Sequence, residues 1–456
     1  MSVTMTGSVA ELTANLGDIV ITDPQVMAGY SRDQSLLSPA GRPIAVVRAR
    51  TTDDVVSTLT IANRYAVPVV TRGAGTGLAG GSNAIDGCII LSTERFDRIL
   101  DIDVRARTAT VEPGVLNGDL AAAADRRGLW YVPDPGSRAI CTIGGNLATN
   151  AGGACCAKYG VTGNHVARIK AVLADGRIIH TGADTLKNVA GLNLTQLLVG
   201  SEGALAVIVE ATVRLRTKPR TSSTVVAVFS AVAHAVEAVL SIREVADPSL
   251  VEFMDRTTIV AVDEMTRMGL DATAGALLLI QCDGTDGRED AQRSADACRA
   301  AGAGEVHITS DPAESEALMH ARRVALPALE RCGSTLLDDL AVPVHRLPEM
   351  LDAIEWIADR YELVIGTFGH AADGNLHPTV VFDAADPEAT ARAYRAFDDM
   401  MNRCLSLGGT ITGEHGIGDL KGRYLESMVG SAERELMRRI KEVFDPKGIL
   451  NPGRAI

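Results

Sequence analysis

A strand-like run leads into a glycine-rich loop in PVVTRGAGTGLAGG, residues 68–81. The loop contains GTGLAG at residues 75–80, a literal G-x-G-x-x-G, which in a Rossmann fold opens a helix against a pyrophosphate. Here GGSNAIDG, residues 80–87, leads within about ten residues to another strand-like run, CIILST. The context therefore argues against a Rossmann site.

The loop still meets the physical requirement for binding a diphosphate. Glycines lack a Cβ, so backbone N–H groups can approach an anion closely, and Arg72 adds a positive charge. Taken alone, a glycine-rich hairpin without a ligand is the preferred alternative. Two further blocks of small residues, DPGSRAICTIGGNLATNAGG at 134–153 and VGSEGAL at 199–205, change that balance, because such blocks can line a flat polar ring system.

Composition and charge limit the class of protein. The 456 residues are 46% hydrophobic and 22% charged, which is typical of globular chains and excludes a disordered or collagenous protein. The net charge is −13, and no basic stripe is present, so nucleic acid and anionic membranes are poor partners. No run of 18 apolar residues occurs and the first twenty residues lack a basic region before an apolar core, so we expect no integral membrane segment and a cytoplasmic location.

Element patterns predict an α+β protein. Residues 44–216 contain many short β-branched runs separated by glycine-rich turns. Helices are predicted at Asp53–Tyr65, with Thr52 or Asp53 as the N-cap, and at Leu116–Arg127. Further helices are predicted at Pro387–Leu407 and Ala432–Val443.

Three segments are predicted along the chain. A Pro- and Ser-containing stretch, TKPRTSS at 217–223, marks a boundary after the first segment, residues 1–218, whose core spans about 40–216. Alternating strands and helices fill the second segment, 219–405. The third, 406–456, is short and turn-rich, and we expect it to pack back onto the first segment.

Histidines and a carboxylate form the second chemical feature. The sequence FGHAADGNLHP, residues 368–378, places His370 and His377 across a predicted hairpin turn, and GEHG at 413–416 adds Glu414 and His415. Two neutral imidazoles and one carboxylate with open positions suit a catalytic divalent metal. For each histidine alone, a hydrogen-bonded loop residue is the alternative, and spacing does not decide which of Glu414 and His415 is a ligand and which a base.

These motifs, in order, resemble a known family. PVVTRGAGTGLAGG, VEPGV, DPGSRAICTIGGNLATNAGG, KYG, LLVGSEGALAVIVEATVRL and the terminal NPGR are similar to the vanillyl-alcohol-oxidase-type FAD family. Within it the chain resembles the FAD-linked D-2-hydroxyacid dehydrogenases, from about residue 40 to Gly453. The resemblance implies a flavin-binding domain of two subdomains, and an α+β substrate or cap domain with an antiparallel sheet.

The resemblance implies a set of FAD-binding residues. The pyrophosphate would be held by Arg72, Gly73, Ala74, Gly75, Thr76 and Gly77. The flavin and ribityl chain would lie along Pro135, Gly136, Thr142, Gly145, Asn150 and Gly152, with Val207, Ile208 and Asn451 completing the set. Some relatives attach FAD covalently to a histidine whose place here is taken by Thr76, so a non-covalent FAD is implied.

The resemblance also implies roles in catalysis. The metal would be held by His370, His377 and Glu414, with His415 as the base. Zinc is favoured, with manganese and iron as alternatives. Within ARRVALPA, residues 321–328, Arg322 would bind the substrate carboxylate, with Arg323 as the next choice and a solvated helix charge as the alternative reading; Asn375 is a further substrate-binding candidate.

The implied activity is oxidation of a D-2-hydroxy acid to the 2-oxo acid, with hydride transfer from C2 to flavin N5. Leu326 and Leu337 would form an apolar wall where hydroxyglutarate-active relatives carry polar groups, so a D-lactate-like monocarboxylate is favoured. A D-2-hydroxyglutarate dehydrogenase and a glycolate oxidase subunit are alternatives. A non-redox flavin synthase and a partner-dependent flavoprotein subunit are less favoured.

The electron acceptor and the assembly stay open at this stage. The eight cysteines contain no C-x-x-C and suggest no internal iron–sulfur relay, so a quinone, a cytochrome or an electron-transfer flavoprotein remains as acceptor. Contact with such an acceptor would make the protein peripheral to the membrane. A homodimer is also left open.

Overall fold

The computed structural model describes residues 3–35, 37–219 and 221–456. Contacts divide the chain into two compact units. Unit 1 consists of Met1–Gly152, Gly160–Lys218 and Glu414–Ile456, and unit 2 of Gly153–Tyr159 and Pro219–Gly413.

The first sheet of unit 1 carries the glycine loop. Its strands lie in the order Val20–Ile21, Ala45–Arg48, Ile89–Ser92 and Val69–Arg72, and the last three are parallel. Residues Ile449–Asn451 continue this sheet beside the edge strand, because Val69 exchanges backbone hydrogen bonds of 2.7 and 2.8 Å with Ile449 and Asn451. Apolar residues of the sheet form a core with the helix Thr52–Tyr65.

That helix shows where local sequence decides structure. Thr51 is the N-cap, so the expected N-cap at Thr52 or Asp53 was wrong. The Thr51 side chain accepts a hydrogen bond from the Asp54 N–H, and the Asp54 carboxylate accepts one from the Thr51 N–H. This capping box requires an extended residue three positions before the acid, which Thr51 provides.

The second sheet of unit 1 is antiparallel and has its own core, so this unit contains the two subdomains that we expected. In the described residues its strands lie in the order Ile99–Asp103, Thr108–Val111, Val207–Arg214, Val166–Val172 and Ile178–Gly182. Leu129–Trp130 pairs separately with Arg216–Thr217. The remaining α-helices described in unit 1 are Val3–Leu16, Pro24–Ala28, Asn117–Asp125, Ile143–Thr149, Leu194–Leu198, Leu425–Val429 and Ser431–Phe444.

Unit 2 is built on one large antiparallel sheet. In its described residues the strand order is Glu305–Thr309, Ser222–Phe229, Ala276–Asp283, Leu250–Asp255, Val364–His370, Asn375–Phe382 and Ser334–Leu337. The short strand Leu340–Ala341 also pairs with Asn375–Phe382, at Asn375 and Leu376. The α+β class and the antiparallel sheet of the second domain are therefore confirmed.

Helices cover both faces of this sheet. One face carries Met254, Leu279 and Phe368, which form a core with the helices Arg256–Thr266, Pro312–Arg323 and Ala325–Glu330. The alternate strand residues are also buried, and the same strands contact the helices Val232–Val245, Gly287–Ala300, Leu347–Tyr361 and Pro387–Ser406. A short helix, Cys156–Tyr159, completes the unit.

The predicted helices agree with the structure to within two residues at each end. Leu116–Arg127 is observed as Asn117–Asp125, Pro387–Leu407 as Pro387–Ser406, and Ala432–Val443 as Ser431–Phe444. Across the described ranges, every helix is too short or too polar to span a bilayer.

Candidate active site

The glycine loop follows the edge strand Val69–Arg72 and leads to the strand Ile89–Ser92 without forming a helix between them. The helix that a Rossmann site requires is therefore absent from residues 73–88, all of which the structure describes, as the sequence predicts. A Cβ on Gly73 would lie 2.4 Å from Thr142 Oγ1, so the loop packs directly on the second glycine-rich block.

Arg72, the last residue of the strand Val69–Arg72, packs its guanidinium against the loop. Its side chain is buried, and a Cβ on Gly75 would lie 2.0 Å from its Nη2. Gly75 also has a φ of +71°, which side-chain-bearing residues rarely adopt. Burial lowers the pKa of Arg72, while the charge of Asp33 opposes this. The loop thus wraps a buried cation with backbone that only glycine can supply, which suits a diphosphate.

The second and third glycine-rich blocks are joined by backbone hydrogen bonds. The N–H groups of Gly200 and Glu202 donate to the carbonyls of Leu147 and Ala148 at 2.9 and 2.8 Å. Asn150 ends the helix Ile143–Thr149 in a left-handed conformation, with a φ of +53°. The predicted blocks are therefore contiguous within unit 1.

Several buried polar atoms around the loop have no hydrogen-bond partner in the described residues. They are Asp33 Oδ2, Thr71 Oγ1 and Asn451 Oδ1. Asp33 Oδ2 would lie 3.3 Å from a Cβ on Gly77, and Asn451 Nδ2 donates to the carbonyl of Gly81 at 2.9 Å. Buried polar groups normally have partners, so these atoms fit a polar cofactor in this place.

The other expected cofactor residues also lie in unit 1. The buried residues among them are Pro135, Gly152 and Val207. The half-buried ones are Thr76, Gly145 and Ile208, and the exposed ones are Ala74 and Gly136. Thr142 caps the helix Ile143–Thr149 and accepts a hydrogen bond from the Gly145 N–H.

His370 and His377 are brought together in unit 2 by the predicted hairpin, which is confirmed. Their ring centroids lie 5.2 Å apart and their planes are nearly perpendicular. His377 lies inside the strand Asn375–Phe382, which begins earlier than expected. Gly374, with a φ of +85°, closes the turn where a Cβ would lie 2.0 Å from the Val342 carbonyl.

A buried carboxylate holds His370. Glu252, on the neighbouring strand Leu250–Asp255, places Oε1 2.6 Å from His370 Nδ1 and Oε2 2.5 Å from Arg322 Nε. The guanidinium carbon of Arg322 lies 4.7 Å from the centroid of the Phe368 ring. Burial acts to raise the pKa of Glu252, but Arg322 and His370 outweigh it and hold that pKa below its ordinary value. The side chain of Arg322 is thus anchored in the unit rather than solvated.

A second buried carboxylate lies beside His377. Asp339 Oδ1 is 3.8 Å from His377 Nδ1, and it accepts a 2.8 Å hydrogen bond from Asn375 Nδ2. The Asp339 Oδ2 accepts a 2.7 Å hydrogen bond from the Thr412 hydroxyl. Unit 2 contributes three side chains that could hold a metal ion, namely His370, His377 and Asp339. Asn375 is held by Asp339 and by the Leu340 carbonyl, at 3.0 Å.

Glu414 and His415 begin the last part of unit 1. Glu414 Oε1 lies 3.9 Å from His415 Nε2. The loop that follows is held by Glu202, whose carboxylate accepts hydrogen bonds from the N–H groups of Ile417 and Gly418 at 2.7 and 2.9 Å. Burial raises the pKa of Glu202, and these two donors oppose the shift.

Sequence reasoning missed Asp33, Glu202, Glu252 and Asp339 as members of these sites. One signal was present for Glu252: it is a lone acidic residue between apolar neighbours in LVEFMD. Asp339 follows another aspartate, and both are fully buried. An acid within a buried run needs a partner, although the run does not say which one.

Comparisons with known proteins identify the family of this chain. A profile described as "FAD linked oxidases, C-terminal domain" matches residues 218–455, and one described as "FAD binding domain" matches residues 43–182. The chain belongs to the FAD-linked oxidases. Like other FAD-linked oxidases it is an FAD-dependent oxidoreductase, so the expected family and enzyme class are confirmed.

Named relatives of this FAD-linked oxidase span nearly the whole chain. It is 41% identical over 418 residues to the glycolate oxidase subunit GlcD of Bacillus subtilis, covering 90% of this chain and 88% of the relative. It is 36% identical over 432 residues to a D-lactate dehydrogenase of Archaeoglobus fulgidus, covering 94% and 95%. A solved structure of p-cresol methylhydroxylase has the same fold, with a TM-score of 0.86 at 19% identity, covering 100% of this chain and 97% of that one.

Proposed function

We propose that this FAD-linked oxidase is a metal-dependent dehydrogenase that oxidises a D-2-hydroxy acid, with D-lactate-like monocarboxylates favoured, to the 2-oxo acid. The observation that carries the proposal is the pair His370 and His377, whose rings pack edge to face, with Glu252 bonded to Nδ1 of His370. A carboxylate on Nδ1 leaves Nε2 as the ligand atom, an arrangement common to metal-binding histidines.

Glu414 is proposed as the third ligand. It follows Gly413 in the chain, and Gly413 packs on Asn375, since a Cβ there would lie 2.5 Å from Asn375 Nδ2. Thr412, one residue earlier, is bonded to Asp339. Glu414 is the next residue in the chain after this anchored segment, which supports its choice as the third ligand. Zinc, manganese and iron all suit two imidazoles and a carboxylate, and zinc is favoured.

The proposed division of work gives each residue a role. Arg322 and Asn375 bind the substrate, and His415 accepts the proton of the C2 hydroxyl. A divalent metal at this site would lower the pKa of that hydroxyl. The flavin, when bound by the proposed FAD-binding residues of unit 1, supplies the acceptor for the C2 hydride. Thr76 carries no imidazole, so we propose that FAD is bound without a covalent link.

The preference for a monocarboxylate rests on the surroundings of His377. Leu326 and Leu337 pack against an apolar cluster that includes Phe368, whose ring centroid is 5.5 Å from that of His377. Leu337 pairs with Thr379, two residues from His377 on the same strand. A second substrate carboxylate against this wall would lose hydration without gaining a charged partner.

A glycolate oxidase subunit is the second candidate function, because the relative at 41% identity carries that name. In either case we propose a cytoplasmic protein that passes electrons to a quinone, a cytochrome or an electron-transfer flavoprotein. We also keep the proposal of domains at 1–218, 219–405 and 406–456.

The decisive experiment is an anaerobic visible spectrum of the metal-replete holoprotein. D-lactate, L-lactate, glycolate, D-2-hydroxybutyrate and D-2-hydroxyglutarate are added in turn. Bleaching of the flavin band by the D-monocarboxylates is the expected result. Preferential bleaching by glycolate would favour a glycolate oxidase subunit. Preferential bleaching by D-2-hydroxyglutarate would contradict the proposed apolar wall of Leu326 and Leu337. Bound flavin that none of them reduces would overturn the dehydrogenase proposal for the isolated chain.

A further inference from the structure

Glu252 is an acidic residue in a strand whose other members are apolar except for its terminal Asp255. It is 1% exposed. Burying a carboxylate is costly unless charged or hydrogen-bonding partners compensate for the lost hydration. Its retention in the middle of a sheet therefore calls for specific partners, and two are present.

The first partner is His370. Strand pairing places Glu252 directly opposite His370, and the Oε1–Nδ1 distance of 2.6 Å is that of a strong hydrogen bond. An ionised carboxylate only accepts, so the proton of a neutral His370 lies on Nδ1 and the lone pair on Nε2. Glu252 thereby selects the tautomer and the ring orientation.

The second partner is Arg322, which reaches the sheet from the helix Pro312–Arg323. Its Nε lies 2.5 Å from Glu252 Oε2, and its guanidinium stacks on Phe368. This contact is an ion pair and not a hydrogen bond, since neither Nε nor Oε2 has a hydrogen-bond partner in the described residues; Nη1 and Nη2 are the donors that we assign to an anionic group. The orientation of this fork is therefore set by Glu252 and Phe368 together.

We propose that Glu252 is a positioning residue that couples the metal site to the substrate site: one carboxylate oxygen orients His370 toward the metal, and the other orients Arg322 toward the substrate carboxylate. The inference rests on the proposed function and adds a residue to it. Loss of Glu252 should weaken both metal binding and substrate binding, whereas loss of Arg322 should weaken substrate binding alone.

The test uses the full-length FAD-bound protein and the variants Glu252→Gln and Arg322→Met. Zinc and manganese affinities are measured by chelator competition, and metal content by elemental analysis after dialysis. For Glu252→Gln we expect metal affinity to fall about 10- to 100-fold and KM to rise about tenfold. For Arg322→Met we expect a similar rise in KM with metal affinity within about threefold of the wild type. Asp255→Asn, at a half-buried acid at the end of the same strand, serves as the control for the loss of a carboxylate.

Four outcomes decide the matter. Glu252→Gln with wild-type metal affinity and KM overturns the inference. A matching loss of metal in Asp255→Asn also overturns it, because the effect would then be structural. If Glu252→Gln does not fold, Glu252→Asp replaces it, because a side chain shorter by one methylene cannot reach both partners. Wild-type metal affinity and KM in Glu252→Asp overturn the inference. If His370→Ala retains the metal, the proposed function fails instead.

Discussion

The carboxylate of Glu202 accepts a hydrogen bond from the backbone N–H of Ile417 at 2.7 Å, although the two residues are 215 positions apart in the chain. Gly418 donates to the same carboxylate, and Asn451 donates to the Glu202 carbonyl at 2.7 Å. Glu202 itself has a φ of +48°, unusual for a residue with a side chain. The backbone two residues after His415 is therefore held by a half-buried acid in the VGSEGAL block.

Glu202→Gln should loosen the loop that carries His415. An amide oxygen can accept one of the two N–H groups well, but the amide nitrogen cannot accept the other. We expect the free energy of unfolding to fall by about 1–3 kcal/mol and kcat by about tenfold. Denaturant unfolding and steady-state kinetics measure both. Glu435→Gln, at an exposed ion pair with Arg439, is the control and should change stability by under about 0.5 kcal/mol.

Gly75→Ala should reduce FAD binding. The new Cβ would overlap the Arg72 guanidinium, 2.0 Å away, and displace the buried cation. Gly128→Ala is a matched control, because Gly128 has the same φ of +71° with no atom within 4 Å of its Cβ position. The ratio of flavin to protein absorbance measures occupancy. Equal loss in both variants would show that backbone strain, not displacement of Arg72, is the cause.

His415→Ala should slow flavin reduction by substrate about 10²- to 10⁴-fold while flavin and metal contents stay unchanged, because a positioned base contributes by that amount. Anaerobic single-turnover absorbance gives the rate. His180→Ala, exposed on the strand Ile178–Gly182, should reduce flavin at the wild-type rate. An unchanged rate in His415→Ala would move the base role to Glu414.

Asp255 should make stability depend on pH. Burial raises the pKa of Asp255 to about 6, against the hydrogen bonds that its carboxylate accepts from the N–H groups of Thr258 and Thr367. A raised pKa means that the folded state binds the proton more tightly. The stabilisation that comes from this tighter proton binding is complete below the unfolded pKa of 3.8 and is lost as the pH rises through about 6.

Denaturant unfolding at pH 5 and pH 7.5 compares the wild type with Asp255→Asn. Asn lacks one acceptor and destabilises the protein at both pH values. The difference in unfolding free energy should shrink by about 1 kcal/mol at the higher pH, because only the wild type loses the proton term. A difference that is constant or larger at pH 7.5 would contradict the raised pKa.

Local features of the fold and the site could be predicted from the sequence. The glycine loop at 73–77 and the hairpin that carries His370 and His377 depend on residues close together in the chain. Glycine is needed where φ is positive or a Cβ would collide, and a hairpin turn brings its two flanking strands side by side. Helix positions were likewise predictable from spacing, while the cap at Thr51 required knowing which residue was extended.

Partners far apart in the chain were decided by the tertiary structure alone. Glu252 meets His370 across 118 positions because the strand Leu250–Asp255 lies beside Val364–His370 in one particular register. A shift of one residue would turn Glu252 to the opposite face of the sheet. The sequence by itself determined which side chains were available for this chemistry; strand order and register, stabilised by the packing of the whole sheet, decided which of them touch.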